Sequence, residues 1–312
     1  MARLVFMGTP AFAVPSMQAL LAAGHEIKLV VTQIDRPAGR GQQIQQSPIK
    51  RLAEALGLSL LQPGRLRREP EAIQRLRDCK PDVIVVTAFG QILPPAVLEI
   101  PPMGCLNVHG SLLPAYRGAA PVQWALINGE TMTGVTIMLM DEGLDTGPSL
   151  LSEQIAIAPE DNAGTLSAKL AIAGAQLLVK ALDGQLAGKL VPQVQPTEGI
   201  SLAPLLKKID GILDWTRPAI SLHNQVRGLT PWPGAKTVLA EMPIKILESE
   251  RWLAKVDSPP GRLVDVLPGG WLVGTGDGAI LLKQIQLPGR KAQPAAQAAH
   301  GLRQLGPGCQ FG

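Results

Sequence analysis

The chain has 312 residues, of which 46% are hydrophobic and 17% are charged. This length suits one large domain or two ordinary ones, and a formal net charge of +4 is too small for a purely electrostatic nucleic-acid binder. Aromatic residues make up only 3%, too few for a protein that stacks a row of bases on rings. The three cysteines stand far apart with no CxxC pair, which argues against a disulfide framework and a thiolate zinc site.

The first half of the chain alternates short apolar runs with segments of helical periodicity. Strands are predicted over Leu4–Met7, Ile27–Thr32 and Asp82–Ala88. Helices are predicted over Ala13–Ala23, Ile49–Leu56 and Pro70–Cys79. This rhythm predicts an α/β fold with a doubly wound, mostly parallel sheet, in which ligands bind beyond the carboxyl ends of the strands.

The loop after the first strand, Gly8-Thr9-Pro10, is not a nucleotide loop. Neither GxGxxG nor GxxxxGK[ST] follows it, so a dinucleotide or ATP site has no support and a tight turn is favoured. No uninterrupted apolar run approaches the ~18 residues of a membrane span, and the N-terminus lacks the features of a signal or transit peptide. The sequence therefore predicts a soluble, cytoplasmic protein.

The composition and periodicity of the chain change after a helix predicted over Ala163–Leu182. A Gly-, Pro- and Gln-rich segment at 185–204 is predicted to link a domain at 1–184 to a second domain at 205–312. In the second domain, short candidate strands are punctuated by Pro and Gly. They are Thr237–Leu239, Ile244–Leu247, Gly261–Val266, Trp271–Gly274 and Ala279–Gln286. Their spacing predicts a small β-barrel or sandwich, of which an OB-like barrel is preferred.

The most informative stretch is 104–123, GCLNVHGSLLPAYRGAAPVQ. Cys105–His109 is a predicted strand, and side chains two apart on a strand share a face, so Asn107 and His109 point to one side near its carboxyl end. An amide donor beside an imidazole can hold one developing oxyanion. Asn-x-His alone is a common pattern, however, and a His near a strand end is more often structural.

A second cluster follows a strand predicted over Gly134–Met140. Asp141–Pro148 contains three acids and two glycines within eight residues, as solvated loops and calcium loops also do. The spacing lacks the EF-hand pattern D-x-[DN]-x-[DN]-G with its terminal Glu, so no metal is predicted. An acid in this loop can fix the charge or tautomer of His109 and manage protons.

Together these residues resemble the formyltransferases that use 10-formyltetrahydrofolate. The motifs are Asn107-x-His109-x-Ser111-Leu112-Leu113-Pro114, Arg117-Gly118-Ala119-Ala120-Pro121 and Asp141-x-Gly143-x-Asp145-Thr146-Gly147. Three further segments narrow the resemblance to the branch whose acceptor is a transfer RNA. They are Asp35–Gly41 with Ser47–Lys50, Ala88–Leu93, and Val226–Ala235. The resemblance runs from about Leu4 to Ala235 and more loosely to the end.

The resemblance implies a catalytic set of Asn107, His109 and Asp145. These residues would transfer a formyl group from 10-formyltetrahydrofolate, a co-substrate, to the free α-amino group of initiator methionyl-tRNA. Asn107 and protonated His109 would stabilise the tetrahedral oxyanion, and Asp145 would keep His109 charged and manage the proton. Cys105 is interpreted as a small core residue rather than a nucleophile. The reaction then needs no metal.

The resemblance also implies two sets of binding residues. The folate set is Phe89, Gly90, Gln91, Ile92, Leu93, Ser111, Leu112, Leu113, Pro114, Asp141 and Gly143, with Ile92 and Leu93 sandwiching the ring. The transfer-RNA set is Arg36, Arg40, Lys207 and Arg227. The chain departs from the family pattern at three places. Gln42 and Gln43 replace frequent lysines, Ala115 and Tyr116 replace a common Arg-Trp, and Phe89 replaces a frequent Tyr.

Two other functions stay open beside this one. The acceptor could be a small amine, such as an amino sugar or glycinamide ribotide, or the chain could be an RNA-binding module with a decayed catalytic domain. The Pro231-Trp232-Pro233 segment and the β-rich second domain favour transfer RNA, and the intact Asn107, His109 and Asp145 argue against decay. The protein is predicted to act as a monomer without a membrane partner.

Overall fold

The computed structural model describes residues 1–38, 43–239, 241–299 and 306–312. Contacts between Cα atoms divide the chain into two compact units. The first comprises Met1–Pro121, Met132–Ala156 and Ser167–Pro204, and the second comprises Val122–Thr131, Ile157–Leu166 and Leu205–Gly312. By these contacts the segment 185–204, predicted as a linker, lies in the first unit. The division into domains at 1–184 and 205–312 stays a prediction.

The described residues of the first unit form nine strands and several helices. The strands are β1 (Arg3–Gly8), β2 (Glu26–Val31), β3 (Arg36–Ala38), β4 (Gln43–Gln45), β5 (Leu60–Leu61), β6 (Val83–Thr87), β7 (Cys105–His109), β8 (Met132–Leu139) and β9 (Ser149–Ala156). The helices are α1 (Val14–Ala22), α2 (Pro48–Ala55), α3 (Pro70–Asp78) and α4 (Pro95–Leu98). Two more helices, α5 (Pro121–Ile127) and α6 (Ala163–Leu186), cross the limits between the units.

Seven of these strands build one sheet in the order β5-β2-β1-β6-β7-β8-β9 within the described residues. The first five strands in this order run parallel to one another. Strand β8 runs antiparallel to both of its neighbours, β7 and β9. The predicted mostly parallel α/β sheet is confirmed. Strand β9 was not anticipated, because SLLSEQIA keeps Ser, Glu and Gln beside its apolar residues, as suits the half-exposed edge strand that it forms.

The middle of the sheet is buried along its whole length. Every residue of β6 and β7 is buried, as expected for strands covered on both faces. Apolar side chains of the neighbouring strands, helices and loops complete this core. They are Val5, Met7, Leu29, Val31, Leu66, Ala72, Leu76, Ile84, Val86, Phe89, Leu93, Val97 and Cys105. The sheet therefore holds the carboxyl ends of its strands in fixed positions.

The strand order reverses at β1, which lies between β2 and β6. Loops diverge at such a point and leave a crevice beyond the carboxyl ends of the strands. The first residues of the loops after β1 and β6 border this crevice, and one hydrogen bond joins them. The hydroxyl of Thr9 donates it to the carbonyl of Phe89 at 3.0 Å. The neighbouring strand β7 ends at His109, beside this crevice.

The second unit is an antiparallel sheet with two helices over the described part of the chain. The strands are β10 (Ala235–Leu239), β11 (Met242–Trp252), β12 (Leu263–Leu267), β13 (Gly270–Thr275), β14 (Gly278–Gln286) and β15 (Gln293–Pro294), and the helices are α7 (Ala219–Leu229) and α8 (Ala295–Ala299). The order is β10-β11-β14-β13-β12, with β15 pairing β14. The core contains Trp271, Trp215 and Phe311, and the ring centroid of Phe311 lies 5.6 Å from that of Trp215 and 6.1 Å from that of Trp271.

The last residues of the chain join the two edge strands of this sheet. Val238 of β10 and Gly312 exchange two main-chain hydrogen bonds, at 3.0 and 2.9 Å. On the other edge, Leu263 of β12 donates to the carbonyl of Cys309 at 2.7 Å and accepts from the amide of Gly308 at 2.8 Å. Since both edges pair with the same segment, the sheet closes on itself, in agreement with the predicted small barrel.

One helix in the described part of the chain, α6, is long and apolar enough to cross a membrane by length and composition alone. Half of its most apolar window is buried inside the fold. A single such helix is weak evidence for a span, because a buried core helix passes the same test. Because Lys169, Gln176 and Lys180 interrupt the apolar sequence of α6, the helix contains no uninterrupted apolar run as long as a membrane span.

Candidate active site

Asn107 and His109 lie at the carboxyl end of β7, on the same face of the strand as predicted. Both are buried, with 9% and 5% of their surface exposed. The register of the sheet fixes them, since Asn107 lies beside Val86 of the parallel strand β6 and His109 lies opposite Thr136 of the antiparallel strand β8. Two polar side chains are therefore held on a strand whose every residue is buried.

Asp145 reaches these two residues from the loop that follows β8. Its Oδ1 accepts a hydrogen bond from Asn107 Nδ2 at 3.4 Å, and its Oδ2 lies 3.7 Å from His109 Nδ1. The same Oδ2 accepts the main-chain N–H of Gly118 at 2.8 Å. Asp145 has a φ of 52°, an unusual backbone conformation for a residue other than glycine. The structure thus brings together the three side chains predicted to be catalytic.

The second nitrogen of His109 fixes the state of the ring. Its Nε2 lies 3.0 Å from the carbonyl oxygen of Tyr116. A carbonyl can only accept, so Nε2 carries a proton and donates. The nitrogen that can gain or lose a proton is then Nδ1, which faces Asp145. Nδ1 is therefore the ring nitrogen that can pair with the Asp145 carboxylate, 3.7 Å away.

Hydrogen bonds to Asp141 shape the acidic loop. Its Oδ1 accepts from the main-chain N–H of Gly143 at 3.0 Å and from the hydroxyl of Thr146 at 2.7 Å. At the end of the loop, a Cβ on Gly147 would lie only 1.9 Å from the carbonyl oxygen of Leu139. Only glycine fits this close approach, so the motif D-x-G-x-DTG encodes a tight turn that presents Asp145.

The segment after β7 is held by hydrogen bonds to its main chain. Ser111 is fully buried, and its hydroxyl donates to the carbonyl of Ala115 at 2.6 Å. The hydroxyl of Thr136 donates to the carbonyl of Ser111 at 2.8 Å and accepts from the amide of Leu113 at 3.1 Å. Leu112 packs against Gly134, where an added Cβ would meet its side chain at 2.5 Å. Ser111–Pro114 thus turns the chain back toward His109.

Two side chains of the predicted folate segment face the core. Phe89 and Leu93 are 2% and 4% exposed and belong to the core of the first unit. The carbonyl of Phe89 accepts from the hydroxyl of Thr9 at 3.0 Å and from the side-chain amide of Gln33 at 2.9 Å. Ile92, in contrast, is 75% exposed. The side chain of Leu93 is therefore committed to packing, and Ile92 is the apolar side chain that this segment offers to a ring.

Gln91 fixes the same segment from its other side. Its Oε1 accepts from the amide of Leu66 at 2.8 Å, and its Nε2 donates to the carbonyl of Pro63 at 3.0 Å. The neighbouring Gly90 has a φ of 79°, which a residue with a side chain rarely adopts. The main chain of 89–93 is thus held in one conformation by the side chains of Thr9 and Gln33 from two other loops and by its own Gln91.

Cys105 opens β7 but takes no part in this polar cluster. It is 1% exposed and packs in the core, with its thiol 3.9 Å from the carbonyl of Val97. Burial raises the pKa of the Cys105 thiol to about 12, so the group stays protonated at neutral pH. A protonated thiol is a poor nucleophile, in line with the interpretation of Cys105 as a core residue.

The residues predicted to contact RNA have different surroundings from one another. Arg36 is exposed on the β3–β4 hairpin, and Lys207 is exposed before a short 3-10 turn. Arg227 is half-buried on α7, where its Nε donates to Asn224 Oδ1 at 2.9 Å and burial lowers its pKa. Arg40, like Gln42, lies outside the described residues. The described residues contain no group of three or more His, Cys, Asp or Glu side chains placed to hold a metal ion.

Three contributors to the site were not anticipated from the sequence. They are the carbonyl of Tyr116, the N–H of Gly118 and the side chain of Gln195, which donates to the carbonyl of Asp145 at 2.9 Å. The first two act through the main chain, which sequence patterns do not report. Gln195 lies in a segment of low periodicity, where no signal separates it from its neighbours.

Two family models match the chain. The model described as formyl transferase matches residues 2–182, and the model described as formyl transferase, C-terminal domain, matches residues 205–303. Among curated proteins, the methionyl-tRNA formyltransferase of Solibacter usitatus is 50% identical over 301 residues, 96% of this chain and 96% of its own length. That of Geobacter sulfurreducens is 48% identical over 310 residues, 99% of this chain and 96% of its own length.

Solved structures share the fold at lower identity. The N-formyltransferase of Helicobacter canadensis, in complex with folinic acid and dTDP-3-aminofucose, aligns with a TM-score of 0.69 at 18% identity and covers 90% of this chain and 99% of its own. HypX of Aquifex aeolicus, in complex with tetrahydrofolic acid, aligns with a TM-score of 0.65 at 16% identity over 95% of this chain and 46% of its own. At these identities the likeness shows the fold alone.

The family models cover most of both units, and the curated relatives are similar along nearly their whole length. The chain therefore belongs to the formyl transferase family, on the branch of the methionyl-tRNA formyltransferases.

Proposed function

We propose that the protein transfers a formyl group from 10-formyltetrahydrofolate to the free α-amino group of initiator methionyl-tRNA. The observation that carries this proposal is the meeting of Asn107, His109 and Asp145 at the end of β7, with the Asp145 carboxylate 3.4 and 3.7 Å from the other two. Relatives that bear this activity in their name and are 45% to 50% identical support the same acceptor.

Asn107 and His109 serve the oxygen of the formyl group. Attack of an amine on the formyl carbon places negative charge on that oxygen, which hydrogen-bond donors stabilise. Asn107 offers the N–H groups of Nδ2, and His109 offers Nδ1–H when protonated, because its Nε2 is committed to Tyr116. Loss of one such donor typically costs about 10²–10³ in rate.

Asp145 handles the proton that the attacking amine loses. One proton must reach N10 of the folate when the bond between the formyl carbon and N10 breaks and tetrahydrofolate leaves, and Asp145 is proposed to relay it. Its Oδ2 accepts the N–H of Gly118 at 2.8 Å, whereas Oδ1 accepts the longer hydrogen bond from Asn107 at 3.4 Å, so Oδ1 is the oxygen proposed to take the proton. Its Oδ2 also lies 3.7 Å from His109 Nδ1, within ion-pairing distance of the ring. An α-amino group has a pKa of roughly 7.7–8.0, so a useful fraction is neutral near pH 7 without a metal or a nucleophilic side chain.

The 10-formyltetrahydrofolate co-substrate supplies the formyl carbon, and the residues after β6 fit a flat ring with polar edges. The main chain of 89–93 is held rigid by Thr9, Gln33 and Gln91, so its N–H and C=O groups can read a ring edge. The exposed side chain of Ile92 can cover a ring face. The acidic loop, with Asp141 and Gly143, is proposed as the opposite wall. Structural neighbours crystallised with folinic or tetrahydrofolic acid support this ligand class.

The competing acceptor is a small amine. Solved neighbours include the N-formyltransferase crystallised with dTDP-3-aminofucose and a glycinamide ribonucleotide transformylase, at 18% and 20% identity. Those identities carry no argument about the acceptor, whereas the curated relatives are at least 45% identical over most of the chain. Arg36, Arg40, Lys207 and Arg227 are proposed to contact the transfer RNA.

A formyl-transfer assay with matched acceptors tests the proposal. The full chain is given radiolabelled 10-formyltetrahydrofolate with initiator methionyl-tRNA, with uncharged transfer RNA, with a nucleotide-linked amino sugar, or with glycinamide ribotide. We expect label in methionyl-tRNA alone, and a rate of labelling at least about 100-fold lower with Asp145→Ala. Label only in a small amine would move the chain to the competing function. Retained RNA binding without turnover would favour an RNA-binding module with a decayed catalytic domain.

Cytoplasmic location and a monomeric state are proposed together with this activity. Translation enzymes act on aminoacyl-tRNA in the cytoplasm, and the Asn107, His109 and Asp145 cluster is assembled from one chain. Cell fractionation and light scattering of the purified chain check these two statements.

A further inference from the structure

One side chain of the segment 185–204 is hydrogen-bonded as completely as a glutamine can be. Gln195 is 7% exposed, whereas its neighbours Gln193, Val194 and Pro196 are exposed. Its Nε2 donates to the carbonyl of Asp145 at 2.9 Å and to the carbonyl of Gly147 at 2.7 Å. Both donor hydrogens of the amide are thus used on the loop that carries Asp145.

The other end of the same amide is bound just as firmly. Gln195 Oε1 accepts from Nε of Arg117 at 3.1 Å and from Nη2 of Arg117 at 2.7 Å. Two N–H groups of one guanidinium therefore point at one oxygen, and hydrogen bonds from a charged donor are stronger than neutral ones. Every polar atom of the Gln195 side chain has a partner in the first unit.

The two loops that Gln195 joins both end at the Asp145 carboxylate. One loop carries Asp145 itself, with its φ of 52°. The other carries Gly118, directly after Arg117. The main-chain N–H of Gly118 donates to Asp145 Oδ2 at 2.8 Å. A Cβ on Gly118 would lie 2.6 Å from the carbonyl of Ala203, so the segment that contains Gln195 also packs directly against this second loop.

Main-chain bonds extend this attachment along the segment. Arg117 donates to the carbonyl of Ser201 at 2.9 Å and accepts from the amide of Ala203 at 2.7 Å. The hydroxyl of Ser201 accepts from the amide of Tyr116 at 2.9 Å, and the carbonyl of Tyr116 is the partner of His109 Nε2. The segment therefore holds the main chain on both sides of the His109–Asp145 pair.

We propose that Gln195 is a positioning residue for catalysis, which holds the Asp145 carboxylate toward His109 and Asn107 from the segment that follows α6. The inference rests on the proposed function, because it assigns Asp145 its role in formyl transfer. It adds that the stretch 195–203, through Gln195, Ser201 and Ala203, is part of the catalytic apparatus and not only a connection. A displacement of a catalytic group by about 1 Å can cost roughly 100-fold in rate, so a residue that touches neither substrate can still control turnover.

The substitution Gln195→Glu isolates one arm of this arrangement. It keeps the shape of the side chain and strengthens the arm to Arg117, but it replaces the donor Nε2 with an oxygen that faces the carbonyls of Asp145 and Gly147. Gln193→Glu is the matched control, since it makes the same chemical change on an exposed glutamine two residues away.

The test measures kcat and KM for both substrates, at one pH and salt concentration, in wild type and both variants. We expect Gln195→Glu to lower kcat by roughly 10- to 100-fold, with KM for methionyl-tRNA within about twofold of wild type. Gln193→Glu should keep kcat within about twofold of wild type, as surface substitutions usually do. Equal kcat for the two variants, or a loss confined to the KM for methionyl-tRNA, would overturn the inference.

A second comparison shows whether Gln195 acts through Asp145. In single-turnover reactions of the Asp145→Asn chain, adding Gln195→Glu should change the rate by less than about twofold, because residues that act as one unit are not additive. The same fold loss in both backgrounds would overturn the positioning role. If thermal unfolding shows that Gln195→Glu destabilises the chain, Gln195→Ala, which removes both arms without adding charge, is measured in both backgrounds. Formylation by wild type decides the proposed function separately, whichever result the variants give.

Discussion

The end of β7 and the exposed cations of this chain use polar groups in opposite ways. Asn107, His109 and Asp145 are largely buried, and each has partners at measured distances from other parts of the first unit. Arg36 and Lys207, predicted to contact RNA, are exposed on a hairpin and before a short turn. The side chains of the buried cluster are held in place without a substrate. The exposed cations offer positive charge, and the bound RNA would determine the conformation of their side chains.

The difference sets how much each residue can contribute. Donors that are fixed in a cavity act at full strength on charge that develops between them, because no reorganisation is needed during the reaction. Exposed charges are screened by salt and share their effect among several contacts, so each contributes little alone. Substitutions in the two regions should therefore differ both in size and in the kinetic constant that they change.

The largest effects are expected at the buried cluster. Asn107→Ala, His109→Ala and Asp145→Ala should each lower kcat by about 10²–10³ or more, since each removes a group aimed at the reacting atoms. Steady-state kinetics with methionyl-tRNA measures the loss, and thermal unfolding checks that the fold is kept. Near-normal turnover in Asp145→Ala would contradict its role with the proton.

A smaller effect, on another constant, is expected at the surface. Arg36→Ala should raise KM for methionyl-tRNA a few-fold with kcat unchanged, and it should reduce the slope of log affinity against log salt by about 1, as for one lost phosphate contact. Binding is measured over a range of salt concentrations. Arg51→Ala, an exposed arginine on α2 with no predicted role, is the control. Equal salt slopes for the two variants would remove Arg36 from the RNA surface.

A buried residue beside the cluster should have almost no kinetic effect. Cys105 lies on β7 two residues before Asn107, but burial raises the pKa of its thiol to about 12 and keeps it protonated. Cys105→Ala should keep kcat within about twofold of wild type, with a modest loss of thermal stability from the smaller side chain. A loss of turnover as large as that of His109→Ala would show that burial on β7 is not enough to separate structural from catalytic residues.

The smallest effect concerns a buried polar residue far from the chemistry. Burial lowers the pKa of His25, with nearby Asp183 opposing the shift, so the folded chain favours the neutral ring. Stability is then fully present above the unfolded pKa of roughly 6.5 and declines as pH falls below it, because the unfolded state binds the proton more readily. We expect His25→Gln to weaken this decline in denaturant unfolding between about pH 5 and 7. An unchanged pH dependence would contradict it.

The fold followed from local patterns where burial dictated composition. Apolar runs predicted β1 and β6, and β7 was predicted as a short strand whose limits, Cys105–His109, are those of the structure. The edge strand β9 was missed because one side of it faces away from the core and its polar residues hide the pattern. The closure of the barrel by residues 308–312 also left no local signal, because main-chain pairing at a sheet edge does not depend on side-chain type.

The same division applies to the site. The sequence by itself predicted which side chains carry the chemistry, because Asn107, His109 and Asp145 stand in motifs that together resemble those of one enzyme family. It also indicated which half of the chain is parallel and which is barrel-like. Both properties are encoded in short stretches of sequence.

Only the tertiary structure decided how those side chains are held. The proton on His109 Nε2, the N–H of Gly118 at the Asp145 carboxylate, and the amide of Gln195 behind it depend on atoms 7 to 50 residues apart. Such contacts arise when the sheet brings distant loops to one edge. Each of these hydrogen bonds uses a main-chain N–H or C=O group, which residues of any type can supply. The sequence of side chains therefore does not predict these contacts.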